Sequence, residues 1–135
     1  MRIDSHQHFW FPSARAYSWL DGEAMSPIRR EFGPKDLEPE LEQKGLDGSI
    51  LVQTCSSLEE TREFLKIAAQ TPFVLGVVGW VDLTDPQVGQ TLDTLLEGPN
   101  GRFLVGIRHG VQSEPDPMWL LQTDVNRGLE HLSAR

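Results

Sequence analysis

Cysteine, basic charge and long apolar runs are all scarce in this sequence of 135 residues. The one cysteine, Cys55, has no partner in the chain for a disulfide, which agrees with a reducing compartment. Twelve Lys and Arg stand against 20 Asp and Glu, for a formal net charge of −8. Arg29 and Arg30 are the one adjacent basic pair, so the chain offers no electrostatic footprint for a phosphate backbone. No stretch approaches the roughly 18 apolar residues of a membrane-spanning helix. Asp4, His6 and His8 occupy the positions where a secretion signal would carry its apolar region. The expectation is a cytoplasmic protein without nucleic-acid or membrane partners. Gly-x-Gly-x-x-Gly and Walker patterns are also missing, which removes the usual phosphate cradles of open α/β sheets.

What is present is an alternation of strand-like and helix-like segments. Hydrophobic residues make up 39% of the chain, and at this length roughly two thirds of the unfolded surface can be buried. Four apolar runs rich in β-formers predict strands near residues 2–6, 48–53, 74–81 and 103–108, each followed by helix signals. The run from Val74 to Val81 lacks polar alternation, as a parallel strand buried on both sides requires. Residues 9–34, with Trp10, Tyr17, Trp19 and three prolines, read as a long loop holding at most one helical turn.

Helices are expected over Asp36–Lys44, from a Ser57-Leu58-Glu59-Glu60 capping box to Gln70, from Asp85-Pro86 onward, and from Asp124 onward. In the first of these, Pro39 is read as falling in the first turn, where its missing N–H costs nothing. Buried faces are assigned to Phe64, Leu65, Ala68 and Ala69, to Val88, Leu92, Leu95 and Leu96, and to Val125, Leu129 and Leu132. The fold class is therefore α/β. The common closed solution for such units is an eight-fold barrel of roughly 250 residues, so the chain reads as four βα units, about half of one. An open four-stranded sheet is the alternative. A half-barrel leaves two sheet edges and an inner apolar face uncovered, which predicts self-association.

The chemistry-bearing residues fall at strand ends. Asp4-Ser5-His6-Gln7-His8 alternates so that Asp4, His6 and His8 share a face, and two imidazoles two residues apart can meet one metal ion or one substrate. Gln53 closes the second strand, Asp82 follows the third, and Arg108-His109 closes the fourth. Each has a plain alternative: a satisfied backbone for Gln53, a turn cap for Asp82, an ion-pair partner for Arg108. Together they match barrel enzymes, whose active-site residues come from several strand ends. The arginine fork suits a carboxylate or a developing oxyanion. Cys55 reads as a small buried hydrophobe, His131 as a partner of a helix dipole, and Glu38, Glu40 and Glu42 as a solvated face. Trp10, Trp19, Trp80 and Trp119 read as core before pocket wall.

The opening Met-Arg-Ile-Asp-Ser-His-Gln-His-Phe-Trp, the Gly-Ser-Ile-Leu-Val-Gln strand, Val-Leu-Gly-Val-Val-Gly-Trp-Val-Asp-Leu and the Gly-Ile-Arg-His strand end together resemble the amidohydrolase-related (amidohydrolase 2) family. Within that family they are most similar to the sugar-lactone hydrolases of the fuconolactonase and rhamnonolactonase type. The resemblance runs along essentially the whole chain. It implies the N-terminal half of a TIM (β/α)8-barrel hydrolase over residues 1–135, with His6 and His8 in the first-strand His-x-His position. It also implies one divalent metal, zinc first among candidates, that activates water for attack on a carbonyl, and no organic cofactor. Arg108 and His109 would then hold substrate carboxylate or hydroxyls, and Gln53 and Asp82 would line the same mouth. The substrate class implied is a small lactone or carboxylic acid.

The strand-six Asp-His segment and the strand-eight aspartate of the family have no counterpart here. A lactone hydrolase reduced to an inactive half is thus one expectation. A non-catalytic, self-associating binding module and a superfamily decarboxylase of a small carboxylic acid are the alternatives.

Overall fold

A computed structural model describes residues 1–135. Strands β1 (Ile3–Gln7), β2 (Gly48–Val52), β3 (Val74–Gly79) and β4 (Leu104–Ile107) form one sheet in the order β1-β2-β3-β4. All three pairings are parallel. Between and after them run α1 (Pro34–Lys44), α2 (Leu58–Gln70), α3 (Val88–Glu97) and α4 (Thr123–Ser133). The core lies on the helix side of the sheet, where Leu51, Val74 and Val77 pack with Phe64, Leu65, Leu92 and Val125. No helix is long and apolar enough to cross a membrane.

Several boundaries depart from the sequence reading, each for a local reason. The third strand stops at Gly79 because Thr61, buried in α2, takes over the next residue: its Oγ1 accepts from the Trp80 N–H at 2.7 Å and donates to the Trp80 carbonyl at 2.8 Å. Helix α1 begins at Pro34, where the Asp36 carboxylate accepts from the Gly33 N–H at 2.9 Å. Pro39 consequently falls in the second turn and forfeits the bond an N–H there would make to the Lys35 carbonyl. Asp85 does not cap α3. Its carboxylate accepts from the Gln87 N–H in a turn, and the helix starts at Val88. Asp124 lies inside the first turn of α4 rather than before it.

The long loop holds two short 3-10 segments, Ser18–Leu20 and Glu23–Ile28, where one turn at most is expected. Ala69, Leu96 and Leu129, assigned to buried faces by period, are exposed. Periodicity identifies the side of a helix that is apolar; how far that side is covered depends on what packs there.

Gly79 shows how tightly α2 sits on the sheet. A Cβ built there would lie 2.5 Å from the Thr61 methyl. Gly79→Ala should therefore destabilise the fold by about 1–3 kcal/mol, the usual range for overpacking, as read from the midpoint of urea unfolding. Stability unchanged within error would show that α2 can retreat without loss.

Candidate active site

Parallel pairing brings the carboxyl ends of the four strands to one edge, and the ladder continues there past the strands themselves. The Gln53 N–H donates to the Val78 carbonyl at 2.8 Å, and the Arg108 N–H donates to the Gly79 carbonyl at 2.9 Å. Gln53 and Arg108, 55 residues apart in sequence, thus face each other. The Gln53 amide donates to the Arg108 carbonyl at 3.3 Å, and Arg108 Nη1 returns bonds to the Gln53 carbonyl and side-chain oxygen at 3.5 and 3.4 Å. Those last two are long and correspondingly weak. They are the protein hydrogen bonds of a guanidinium that lines a cavity of about 280 Å³ together with His8, Trp10, Trp19, Gln53 and Thr54.

His6 and His8 meet at the end of β1. Their Nε2 atoms lie 3.2 Å apart, with the rings edge to face. His8 Nδ1 donates to the Val52 carbonyl at 2.9 Å, which fixes its tautomer and leaves Nε2 with a free lone pair. The His8 pKa lies below its ordinary value. Burial is the main cause; the Val52 carbonyl opposes it, and the neighbouring His6 and Arg108 charges add to it. A neutral imidazole with its lone pair aimed at a second imidazole is the protonation state a metal ligand needs. Two nitrogens bound to one zinc at about 2.0–2.1 Å and a tetrahedral angle lie about 3.3 Å apart. The pair therefore fits a shared cation. No group of three or more His, Cys, Asp or Glu forms in the chain, so further ligands would have to come from outside it.

Asp82 and His109 take other partners. Asp82 Oδ1 accepts from the Thr84 N–H at 2.9 Å and the Thr84 hydroxyl at 2.7 Å, a turn at the surface away from the cavity wall. His109 has both nitrogens engaged. Its Nδ1 accepts from the Trp80 indole at 3.0 Å, and its Nε2 lies 2.6 Å from Glu114. The ring stacks on Trp119 at 4.1 Å between centroids. This arrangement ties the segment after β4 to the end of β3 and leaves His109 no free nitrogen for a ligand. Trp80 and Trp119 serve that clamp, whereas Trp10 and Trp19 form the cavity wall, packed edge to face at 5.5 Å. His131 stands in the last turn of α4 against Gly89. Glu38, Glu40 and Glu42 are exposed.

The sequence places Glu60 in a capping box and gives it no other role, yet it organises the loop that carries Gln53 and Thr54. Ser57 Oγ accepts from the Glu60 N–H at 3.2 Å, as a capping box requires. The carboxylate does not turn back to Ser57. Fully buried, it accepts from the Thr54 and Cys55 N–H groups at 2.7 and 3.2 Å and from the Thr54 hydroxyl. Arg15, from the loop that carries Trp10 and Trp19, reaches it at 3.4 Å and pairs with Glu63 at 2.6 Å. The Cys55 thiol, 3.4 Å from Glu60, is pushed up to about 11 by burial and by that carboxylate. A thiol this reluctant to ionise is no nucleophile at neutral pH.

No family model matches this sequence. It is 40% identical over 119 residues to an L-fucono-1,5-lactonase of Burkholderia ambifaria, covering 88% of this chain and 40% of that protein. It is 36% identical over 135 residues to the L-fucono-1,5-lactonase of Burkholderia multivorans, covering 99% of this chain and 44% of that one. The chain is thus similar to part of the amidohydrolase-type lactonases. Its fold superposes with a TM-score of 0.90 on the crystal structure of an amidohydrolase from B. multivorans with bound HEPES, at 36% identity, over 99% of this chain and 45% of the other. A second crystal form with bound zinc gives a TM-score of 0.88. The chain thus spans under half the length of these amidohydrolase relatives, and its four βα units match that share of their TIM barrels.

Two outcomes follow from the Glu60 network. Glu60→Ala leaves the Thr54 and Cys55 amides and the Thr54 hydroxyl without their acceptor, while Arg15 keeps Glu63, and should cost about 1–3 kcal/mol of stability in urea unfolding. A loss below the error of that measurement would deny the carboxylate its organising role. Alkylation of Cys55 in the folded protein should keep accelerating with pH up to about 11, whereas the unfolded chain should level off near the ordinary value of 9.0. Coincident pH profiles would contradict the burial described here.

Proposed function

We propose that this chain supplies the cation-binding and substrate-binding groups of the first half of an amidohydrolase-type barrel. In the complete enzyme that barrel opens small sugar-acid lactones by attack of water on the ring carbonyl. The observation that carries this reading is the convergence of His6 and His8 Nε2 atoms at 3.2 Å beside the cavity that Arg108 lines, in a chain 40% identical to an L-fucono-1,5-lactonase. His6 and His8 are the residues that would hold the divalent cation, zinc by analogy with the relative that binds it. Once bound, such a cation polarises a carbonyl and lowers the pKa of water.

The remaining roles belong to the side chains. Arg108, held only by long bonds to Gln53, offers its fork to a carboxylate or to the oxygen that gains charge as the lactone carbonyl is attacked. Gln53, itself buried, keeps the guanidinium at the mouth. Trp10 and Trp19 present an apolar wall to the ring of the substrate. Hydrolysis moves one proton from water to the ring oxygen released when its bond to the carbonyl carbon breaks. The cavity wall of His8, Trp10, Trp19, Gln53, Thr54 and Arg108 contains no carboxylate to accept that proton. Proton transfer by a positioned base is typically worth roughly 10²- to 10⁴-fold, so the chain by itself should bind without turnover.

Three measurements on the pure 135-residue chain test this. Equilibrium dialysis should show zinc binding that His6→Ala/His8→Ala abolishes. Aldonates should quench tryptophan fluorescence, with Arg108→Ala weakening their binding about 10- to 100-fold, the range for a lost hydrogen bond to a charged group. An aldonolactone panel should show no hydrolysis above background, with or without zinc. Zinc binding indifferent to both histidines would remove the metal role. Turnover that disappears in the double variant would show that the groups on this chain suffice for catalysis.

A further inference from the structure

A hydroxyl group both gives and takes hydrogen bonds, and which of the two it offers a ligand depends on what the protein has already used. Thr54 stands where two cavities meet: the one of about 280 Å³ beside His8, and an adjoining one of about 450 Å³ whose wall includes Ser18, Ser56, Gln112 and Ser113. Trp19, Gln53, Thr54 and Arg108 line both, so a ligand that spans them passes Thr54. The Thr54 hydroxyl donates to Glu60 Oε2. That oxygen also faces the Arg15 guanidinium at 3.4 Å, so it presents lone pairs to the hydroxyl and accepts its one proton. The Thr54 N–H, donating to Glu60 Oε1 at 2.7 Å, holds the residue to the same carboxylate from a second atom. Toward a ligand the Thr54 hydroxyl therefore has lone pairs to offer and no proton. The other polar groups of the wall do not duplicate this. Trp10 gives its indole N–H to the Ile28 carbonyl at 3.0 Å. His8 Nδ1 is spent on Val52, and its Nε2 faces His6. Gln53 is bonded to Arg108 through both its side-chain nitrogen and its side-chain oxygen. The side chains of Arg108 and Trp19 can only donate.

We propose that Thr54 determines specificity by accepting a hydrogen bond from a ligand hydroxyl, with buried Glu60 fixing the polarity of that bond. The inference rests on the reading of this cavity as the site of a sugar acid or its lactone, and adds how one hydroxyl of that ligand is told from hydrogen. Arg108 asks for an acceptor on the ligand and Thr54 for a donor. The ligand therefore carries a carboxylate or carbonyl oxygen and, apart from it, a free O–H. A deoxy, ether or ester position at the same place leaves the Thr54 oxygen facing a group that gives it nothing, and a buried polar atom left without its partner costs more than the bond is worth when made. The discrimination comes from a side chain that takes no part in the chemistry at the carbonyl.

The test is a titration of the 135-residue chain, followed by tryptophan fluorescence, with a linear aldonate and with analogues in which each hydroxyl in turn is replaced by hydrogen or by fluorine. At one position both replacements should weaken binding equally, by about 10-fold, because fluorine cannot donate. Thr54→Val keeps the backbone bond to Glu60 and the shape of the side chain. It should bind the unsubstituted aldonate about 10-fold less tightly and no longer distinguish hydroxyl, hydrogen and fluorine at that position, and Thr54→Ser should restore the distinction. Should the valine variant lose the far-ultraviolet circular dichroism of the parent, Thr54→Ala takes its place with the same expected outcome. Binding that Arg108→Ala weakens but that is the same for the folded Thr54 variant and the parent would overturn this inference alone. So would a fluorine analogue that binds as well as the hydroxyl compound at the position where hydrogen does not, which would make Thr54 the donor. Absence of any aldonate binding would overturn the reading of the cavity, and this inference with it.

Discussion

Parallel pairing of all four strands is the constraint from which the rest of the molecule follows. It puts every carboxyl end at one edge, so residues from distant parts of the chain meet there without any long-range design beyond register. Register is set by which face is buried. A slip of one residue in β2 would move Leu51 off the helix-side core and carry Gln53 to the opposite face. The same slip would displace the Val52 carbonyl that orients His8. The core and the site therefore share one determinant, and a substitution that loosens the ladder on its core side loosens the site with it.

The loops above that edge are held by charge as well as by the apolar packing of Phe9, Tyr17 and Leu20. Glu60 is a carboxylate with no access to water, and burying it is unfavourable in itself. Its donors on Thr54 and Cys55 and the Arg15 charge beside it are the compensation. The arrangement is selective for one geometry, because Thr54, Cys55 and Arg15 must all converge on the two oxygens of one carboxylate. One end of this network carries Thr54 and the other leads to the loop with Trp10 and Trp19, so the cavity wall is positioned from outside the cavity.

How much of this could be read from the sequence depends on how local the cause is. The strands, their order and the mouth at their ends follow from apolar runs and βα alternation, which are local patterns. The end of β3 does not, because Thr61 of α2 decides it from 19 residues away. Asp82 had a readable partner two residues on, Thr84, and takes it. His109 looked like a free strand-end imidazole because its partners Trp80 and Trp119 come from the end of β3 and from the segment before α4, which no local pattern joins. Glu60 was hidden by a signal that was correct as far as it went. The serine half of the capping box forms, and the glutamate half goes to the preceding loop instead.

A strand-end side chain can serve a ligand only with what the protein has left unused. Arg108, Gln53, His8 and Thr54 line the cavity beside Trp10 and Trp19. The Arg108 guanidinium is held there by bonds of 3.4 and 3.5 Å to Gln53, long enough to be exchanged for a ligand's oxygens at little cost. His109, the next residue, has both nitrogens engaged by Trp80 and Glu114 and cannot make that exchange. Two neighbours at one strand end thus divide the work, one fixing the segment after β4 and the other left open to the cavity, and the division follows from their partners rather than from their residue types.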